Sequence, residues 1–492
     1  MSSSQFPFHR LAAVLIGGAL LALLVCGGCR KVGPDFSAPK APVPDMWYQE
    51  VAAEFSTAQP TIQAWWNNLD DPVLVELIRK TREQNLTLWQ AVSVIRQARA
   101  QRGATARLLQ PSVNLNAVYS AQRPSEQAPP LSLLPDDIRD ADNINLLSPG
   151  LDMAWEIDVF GRVRRTVEAA DATLQASVEG YRDILVTLFG EVALAYVDLR
   201  TLQRRLAYAD SNIQLQQKAL DLARTRFETG LTGRLDLEQA RANLANTQAL
   251  IPSLRLGIQS TLNRIAFLLS QQPGSVHADL STPSAIPSPA PGIAELGLPA
   301  GLVRQRPDIR RAERTLAAQT ARIGVLTADL YPRFGLSGNL SLATAHITEW
   351  RSAGTFAITP FLQWNVFNRG RIRDNIRAQE EATKQALYAY ENTVLQALFE
   401  VETSMVALRE ERLRREALVA GVEALTKAAE LVEILYTTGL SDFQNVLDTQ
   451  RFLFQQQDAL AVSEGQVTRN AIALYKALGG GWAESEVTPG LD

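Results

Sequence analysis

Across 492 residues, 48 Lys and Arg nearly balance 52 Asp and Glu for a formal net charge of −4. With no basic cluster to meet a phosphate backbone, nucleic-acid binding is excluded. Two cysteines and three histidines (His9, His277 and His346) are too few and too scattered for a metal site, a disulfide framework or a nucleophile pair, so the chain reads as no enzyme.

Leu11 to Gly28 are apolar, follow His9-Arg10, and end in Gly27-Gly28 before Cys29. A charged start, a short apolar core and small residues before a cysteine read as a lipoprotein signal over residues 1–28. Acylation of Cys29 would anchor the mature chain to a membrane, and that covalent lipid is the one cofactor expected. The competing reading is an uncleaved transmembrane anchor. No later apolar run is long enough to span a bilayer, and the mean hydropathy is −0.06, so a helical membrane protein is excluded. In the segment 29–70, Val32 to Thr61 is proline-rich and reads as extended, and Trp65-Trp66 as packing rather than ligand contact.

Beyond that point the chain contains one pattern twice. A shift of 209 lays Trp155 on Trp364, Gly161 on Gly370, Glu191 on Glu400 and Thr229-Gly230-Leu231 on Thr438-Gly439-Leu440 without a gap. A shift of 221 lays Ala91 on Ala312, Pro111 on Pro332 and Leu115 on Leu336. Two large copies mean a duplicated half rather than a solenoid. The first repeat spans 71–270: a helix over Asn85–Leu109, strands at 111–122 and 149–159, and a helical hairpin over 161–269. Residues 271–300 link it to the second repeat, 301–478, with strands at 332–342 and 354–367 and a hairpin over 370–478; a tail, 479–492, follows.

In each hairpin the outgoing helix is long. Apolar residues from Val163 to Phe227 step by three and four as a heptad seam with one stutter, Leu174 to Val178, and one polar position, Gln216. Unbroken, that helix is roughly 100 Å long at about 1.5 Å per residue. The run must turn at Thr229-Gly230-Leu231, because glycine after a helical stretch is a stop signal. The return runs from about Leu235 to Leu269, kinked at Pro252. The copy runs from Ile372 to Tyr436, turns at Gly439, and returns from about Asp442 to Leu478.

Before each outgoing helix the period changes to two. Val113, Leu115, Ala117 and Tyr119 alternate with Ser112, Asn114, Asn116 and Ser120, and the runs beginning at Leu151 and Phe334 behave alike; the run from Phe356 alternates less cleanly, with Pro360 inside it. Runs of about ten residues with one apolar face suit a membrane β-barrel; a half-buried strand of a soluble sheet is the alternative. A four-stranded sheet cannot stand alone in lipid, since its edges would be unsatisfied there. Physics leaves the number of chains open.

Cys29 to Phe36 (CRKVGPDF), Arg306-Pro307-Asp308-Ile309-Arg310, and the paired tips Phe227 to Leu231 and Tyr436 to Leu440 resemble the outer-membrane factor family of Gram-negative tripartite efflux pumps. These are the TolC-like channels, and the resemblance is to their OprM/NodT-type lipoprotein branch. It covers nearly the whole mature chain. It implies a mainly α fold with a membrane β-barrel portion: a homotrimer whose protomers each give four strands to one twelve-stranded barrel, continued by a long periplasmic α-helical barrel. It implies an outer-membrane location and a passive exit duct for drugs or other small toxic solutes. Its partners would be a periplasmic adaptor, docking at Thr229, Gly230, Leu231, Thr438, Gly439 and Leu440, and an inner-membrane RND-type transporter. By the same resemblance Asp236 and Tyr436 match positions linking the two hairpins in a closed tip. Asp448 matches a constriction carboxylate and Arg451 its basic partner. Ser441 and Asn445 depart from the TolC-type pattern, standing where a linking Arg and a second Asp occur. Without the resemblance, Asp448 and Arg451 are a solvated pair on one helix. Rival functions are a type I protein-secretion duct and a non-conducting coiled-coil scaffold.

Overall fold

The computed structural model describes residues 31–48, 62–123, 144–289, 299–342 and 354–483, with a few positions between 125 and 135. The signal, Cys29, the loop at Ala343–Ala353, much of the Arg123–Ser148 loop and most of the tail lie outside the described residues.

In chain order the elements are α1 (Pro72–Gln84), α2 (Leu86–Ala106), β1 (Ser112–Gln122), β2 (Ile144–Ile157), α3 (Arg162–Glu228), α4 (Arg234–Gln248) and α5 (Ile251–Leu268). Then come α6 (His277–Leu280), α7 (Pro299–Gln305), α8 (Pro307–Ala328), β3 (Arg333–Leu342), β4 (Gly354–Gln363), α9 (Arg369–Thr437) and α10 (Phe443–Ala477). The long helices have 67 and 69 residues, each uninterrupted. The first return is in two pieces rather than one kinked helix. Pro252 sits in the first turn of α5, where its missing N–H costs nothing, so α4 stops at Gln248, the residue whose carbonyl Pro252 could not serve. No helix among the described residues is long and apolar enough to cross a membrane.

Two compact units form, and each takes pieces from both repeats. The first comprises the residues up to Pro39, Gln97–Ala176 and Glu313–Tyr388. Its sheet is antiparallel in the order β1-β2-β3-β4, so β2 and β3 join the two copies. The register lines up Leu115 with Leu151, Leu151 with Leu340, and Leu340 with Phe356, making one continuous apolar face. That face is bare: Leu115 is 76% and Phe356 80% exposed. The opposite face lines up Asn114, Asp152 and Asn339, and the Asp152 carboxylate accepts hydrogen bonds from the Asn116 and Asn339 amides. One contact repeats with both sequence shifts at once. Trp155 Nε1 donates to the Leu109 carbonyl at 3.0 Å, and its copy Trp364 donates to Leu330 at 3.0 Å.

In the same unit Arg165, fully buried near the start of α3, holds the N-terminal segment. Its guanidinium donates to the carbonyls of Val32 and Gly33 at 3.1 and 3.0 Å and pairs with Asp35 and Glu168 at 2.9 Å each. Gly33 has φ +83°, and a Cβ there would run into the Gly324 backbone, so only glycine fits that crossing. Phe36 packs on Ala172, Ala317 and Ala318.

The second unit comprises Lys40–Arg96, Ser177–Ala312 and Ala389–Asp492. Trp65-Trp66 is packing, as read: Trp65 is fully buried and stacks on Tyr475 at 5.4 Å, and Trp66 meets Phe189 edge-on at 5.3 Å. The stripe of α3 broadens here. Val186, Phe189, Tyr196 and Val197 are buried beside the seam residues Leu185, Val192 and Leu199. A helix buried on most faces has neighbours on most sides, and Tyr196 donates to Asp71 at the head of α1 at 2.8 Å. Arg306 bonds Asp308 and Glu400 at 2.7 Å each and the Ala477 carbonyl at 2.8 Å, tying the start of α8 to α9 and the end of α10.

Candidate functional site

The two hairpin tips belong to the second unit and are built alike. Gly230 has φ +76° and Gly439 φ +79°. At the first tip Gly230 N–H donates to Phe227 at 3.0 Å and Leu231 N–H to Arg226 at 2.8 Å. At the second, Gly439 donates to Tyr436 at 3.0 Å and Leu440 to Leu435 at 2.8 Å. Both are glycine-terminated caps that satisfy the last carbonyls of a long helix. Each leaves a leucine outside: Leu231 is 69% and Leu440 77% exposed. Thr229 and Thr438 turn their hydroxyls back onto their own helices, to Thr225 and Ile434.

Behind the caps the hairpins share one core of Leu220, Ala223, Leu237, Ala240, Leu244, Tyr436, Phe443, Val446 and Leu447. Tyr436 is 3% exposed and its ring centroid lies 5.2 Å from that of Phe443. Its hydroxyl, buried, has no hydrogen-bond partner. The structure thus brings Asp236 and Tyr436 into one electrostatic neighbourhood without a hydrogen bond between them. Burial above all, with the Asp442 carboxylate second and Arg226 opposing, holds the Asp236 carboxyl above the usual range. Burial likewise pushes the Tyr436 hydroxyl up, with the Arg226 guanidinium opposing and Asp236 adding to the rise.

Asp448 and Arg451 do form their pair, at 3.6 Å along α10. Asp448 also accepts from Gln444 at 3.0 Å. Arg451 does more: its Nε donates to Asn243 Oδ1 on α4 at 3.0 Å, joining the second hairpin to the first. The two departures from the TolC-type pattern meet each other, Asn445 donating to Ser441 Oγ at 3.2 Å.

Sequence reasoning missed Asn243 and Arg226. The Arg226 guanidinium lies 4.5 Å over the Tyr436 ring and donates to the Tyr436 carbonyl. The signal that could have found them lies where the copies disagree. Under the shift of 209, Arg226 faces Leu435, Phe227 faces Tyr436, Asp236 faces Asn445, Gln239 faces Asp448, Ala242 faces Arg451 and Asn243 faces Phe452. Among the described residues no cluster of His, Cys, Asp and Glu is placed to hold a metal ion.

Known proteins share this layout. The profile described as outer membrane efflux protein matches residues 77–271 and 298–480, one stretch in each repeat. Nodulation protein T of Rhizobium leguminosarum bv. viciae is 30% identical over 475 residues, 96% of this chain and 94% of its own. The pyoverdine export outer membrane protein OpmQ of Pseudomonas putida is 31% identical over 482 residues, 95% of this chain and 97% of its own. Among solved structures, the outer-membrane channel OprN superposes with a TM-score of 0.85 at 33% identity, over 92% of this chain and 99% of that one. With a bare apolar sheet face, twin hairpins and matches over both copies, the chain belongs to the outer membrane efflux protein family: it has the mainly α, partly β-barrel fold of the trimeric outer-membrane channels and is an outer-membrane efflux channel of a Gram-negative bacterium.

Proposed function

We propose that three copies of this chain close one barrel and serve as the passive exit duct of a tripartite pump. Its partners are a periplasmic adaptor, seated on the Leu231 and Leu440 tips, and an inner-membrane RND-type transporter. The cargo is small toxic solutes or other small molecules, a class that includes the pyoverdine named for the Pseudomonas putida relative. The lipid on Cys29 adds a tether, and no further cofactor is needed. In this reading the packing around Asp236, Tyr436, Asp448 and Arg451 keeps the periplasmic tip narrow until docking loosens it.

The observation that carries the reading is the bond from Arg451 to Asn243, which joins the two hairpins behind caps of identical design. A hydrogen bond to a charged donor contributes about 1.5–3 kcal/mol, enough to shift a balance between narrow and wide tips by about tenfold or more. Planar-bilayer recordings of Tyr436→Phe combined with Arg451→Ser should show a single-channel conductance severalfold above wild type. The Arg451 change should carry most of the gain, because the Tyr436 hydroxyl has no bond to lose. Conductance equal to wild type would count against the assignment.

A further inference from the structure

We infer that Arg226 is the positioning residue through which the first hairpin latches the second, by gripping the ring and backbone carbonyl of Tyr436 rather than its hydroxyl. The inference rests on the reading that tip packing sets conductance.

Three features of the contact support it. The guanidinium carbon lies over the Tyr436 ring, 4.5 Å from its centroid, a cation–π contact on a ring buried to 3% exposure. Its Nη1 donates to the Tyr436 carbonyl, which lies in the last turn of α9 and also accepts from Gly439 N–H at 3.0 Å. A cation at that place meets the negative end of a 69-residue helix, where the last carbonyls have no partners within the helix. So the charge that terminates the second long helix is supplied by the first.

The arrangement runs one way only. The residue equivalent to Arg226 in the second copy is Leu435, which is 42% exposed and carries no donor to return the contact to Phe227. Ser441, at the position where TolC-type channels are expected to carry a linking Arg, bonds locally to Asn445 and the Asp442 carbonyl. Arg226 thus puts a cation into the same neighbourhood from the opposite hairpin, facing Asp236.

The test uses the full-length protein purified in detergent and recorded in planar bilayers, each variant first shown to keep the wild-type oligomer. Arg226→Ala should raise the open fraction about tenfold, as losing one charged hydrogen bond together with a ring contact would. Arg226→Lys, which keeps the charge but not the guanidinium, should raise it less. Tyr436→Phe, which keeps the ring and the carbonyl that Arg226 grips, should raise it far less than Arg226→Ala. Once Tyr436→Ala is in place, adding Arg226→Ala should raise the open fraction by clearly less than it does in the wild type, since only the carbonyl bond is left to lose, a non-additivity that a general loss of stability would not produce. If Arg226→Ala records like wild type while Arg451→Ser opens the channel, the latch is wrong and the tip reading survives. If neither opens it, both fall. If Tyr436→Phe alone matches Arg226→Ala, the hydroxyl is the link and the latch as drawn is overturned.

Discussion

Leu151→Lys should prevent the barrel from assembling, whereas Asn339→Lys, one strand away, should leave it intact. Leu151 lies mid-strand in β2, flanked by Leu115 and Leu340 on the bare apolar face. A lysine at the bilayer midplane of a β-barrel costs about 2–4 kcal/mol. In a trimer the change occurs once per chain, so the assembled cost is about 6–12 kcal/mol, comparable with the whole stability of a folded domain. Asn339 points the other way and donates to Asp152 at 2.8 Å, so a lysine there meets a carboxylate and water. The measurement is the yield of detergent-resistant oligomer extracted from outer membranes. Equal yields for the two variants would mean that the apolar face is not the lipid face.

Arg165→Leu should release the N-terminal segment from its unit and destabilise that unit by about 3 kcal/mol. The substitution removes a buried guanidinium and strands the Val32 and Gly33 carbonyls, with Glu168 left to Lys31 at 3.0 Å. Asp35 reaches Arg165 from a largely exposed position, so its own loss is small. Limited proteolysis should then cut between Lys31 and Pro39 in the variant and not in wild type, with a lower midpoint in thermal unfolding. An uncut segment and an unchanged midpoint would show that Arg165 is not what holds it.

What the sequence made legible follows from what repeats. The long helices were bounded by glycines whose left-handed φ is forced at Gly230 and Gly439, so their ends fall within a few residues of the expected places. The strands were legible because a period of two leaves one face apolar, and the sheet pairs Leu with Leu along that face. Where expectation and structure part, the cause is a contact distant in sequence. A period cannot show that Arg165 is buried, because its partners Val32 and Gly33 lie 133 and 132 residues earlier. The compact units were hidden for the same reason: they group equivalent pieces of both copies, whereas a reading along the chain groups neighbours. The break after Gln248 comes a few residues before the expected kink at Pro252, since a proline ends the helix before it rather than at itself.

The tip is the reverse case. Its side chains matter because the duplication fails there: Tyr436 stands for Phe227, Arg226 for Leu435 and Arg451 for Ala242. Two hairpins with the same caps are thereby made unequal: the first gives a cation to the second's helix end, and the second gives one to a side-chain amide of the first. A search for similarity finds the scaffold and passes over these positions, whereas subtracting one copy from the other singles them out.

The central claim is that this sheet, apolar on one face and open at both edges, becomes a pore only by joining sister chains in lipid. Native mass spectrometry of the protein extracted from outer membranes tests it most directly. The account predicts a complex of three chains that persists until the detergent is stripped away. A monomer stable in buffer without detergent would contradict it.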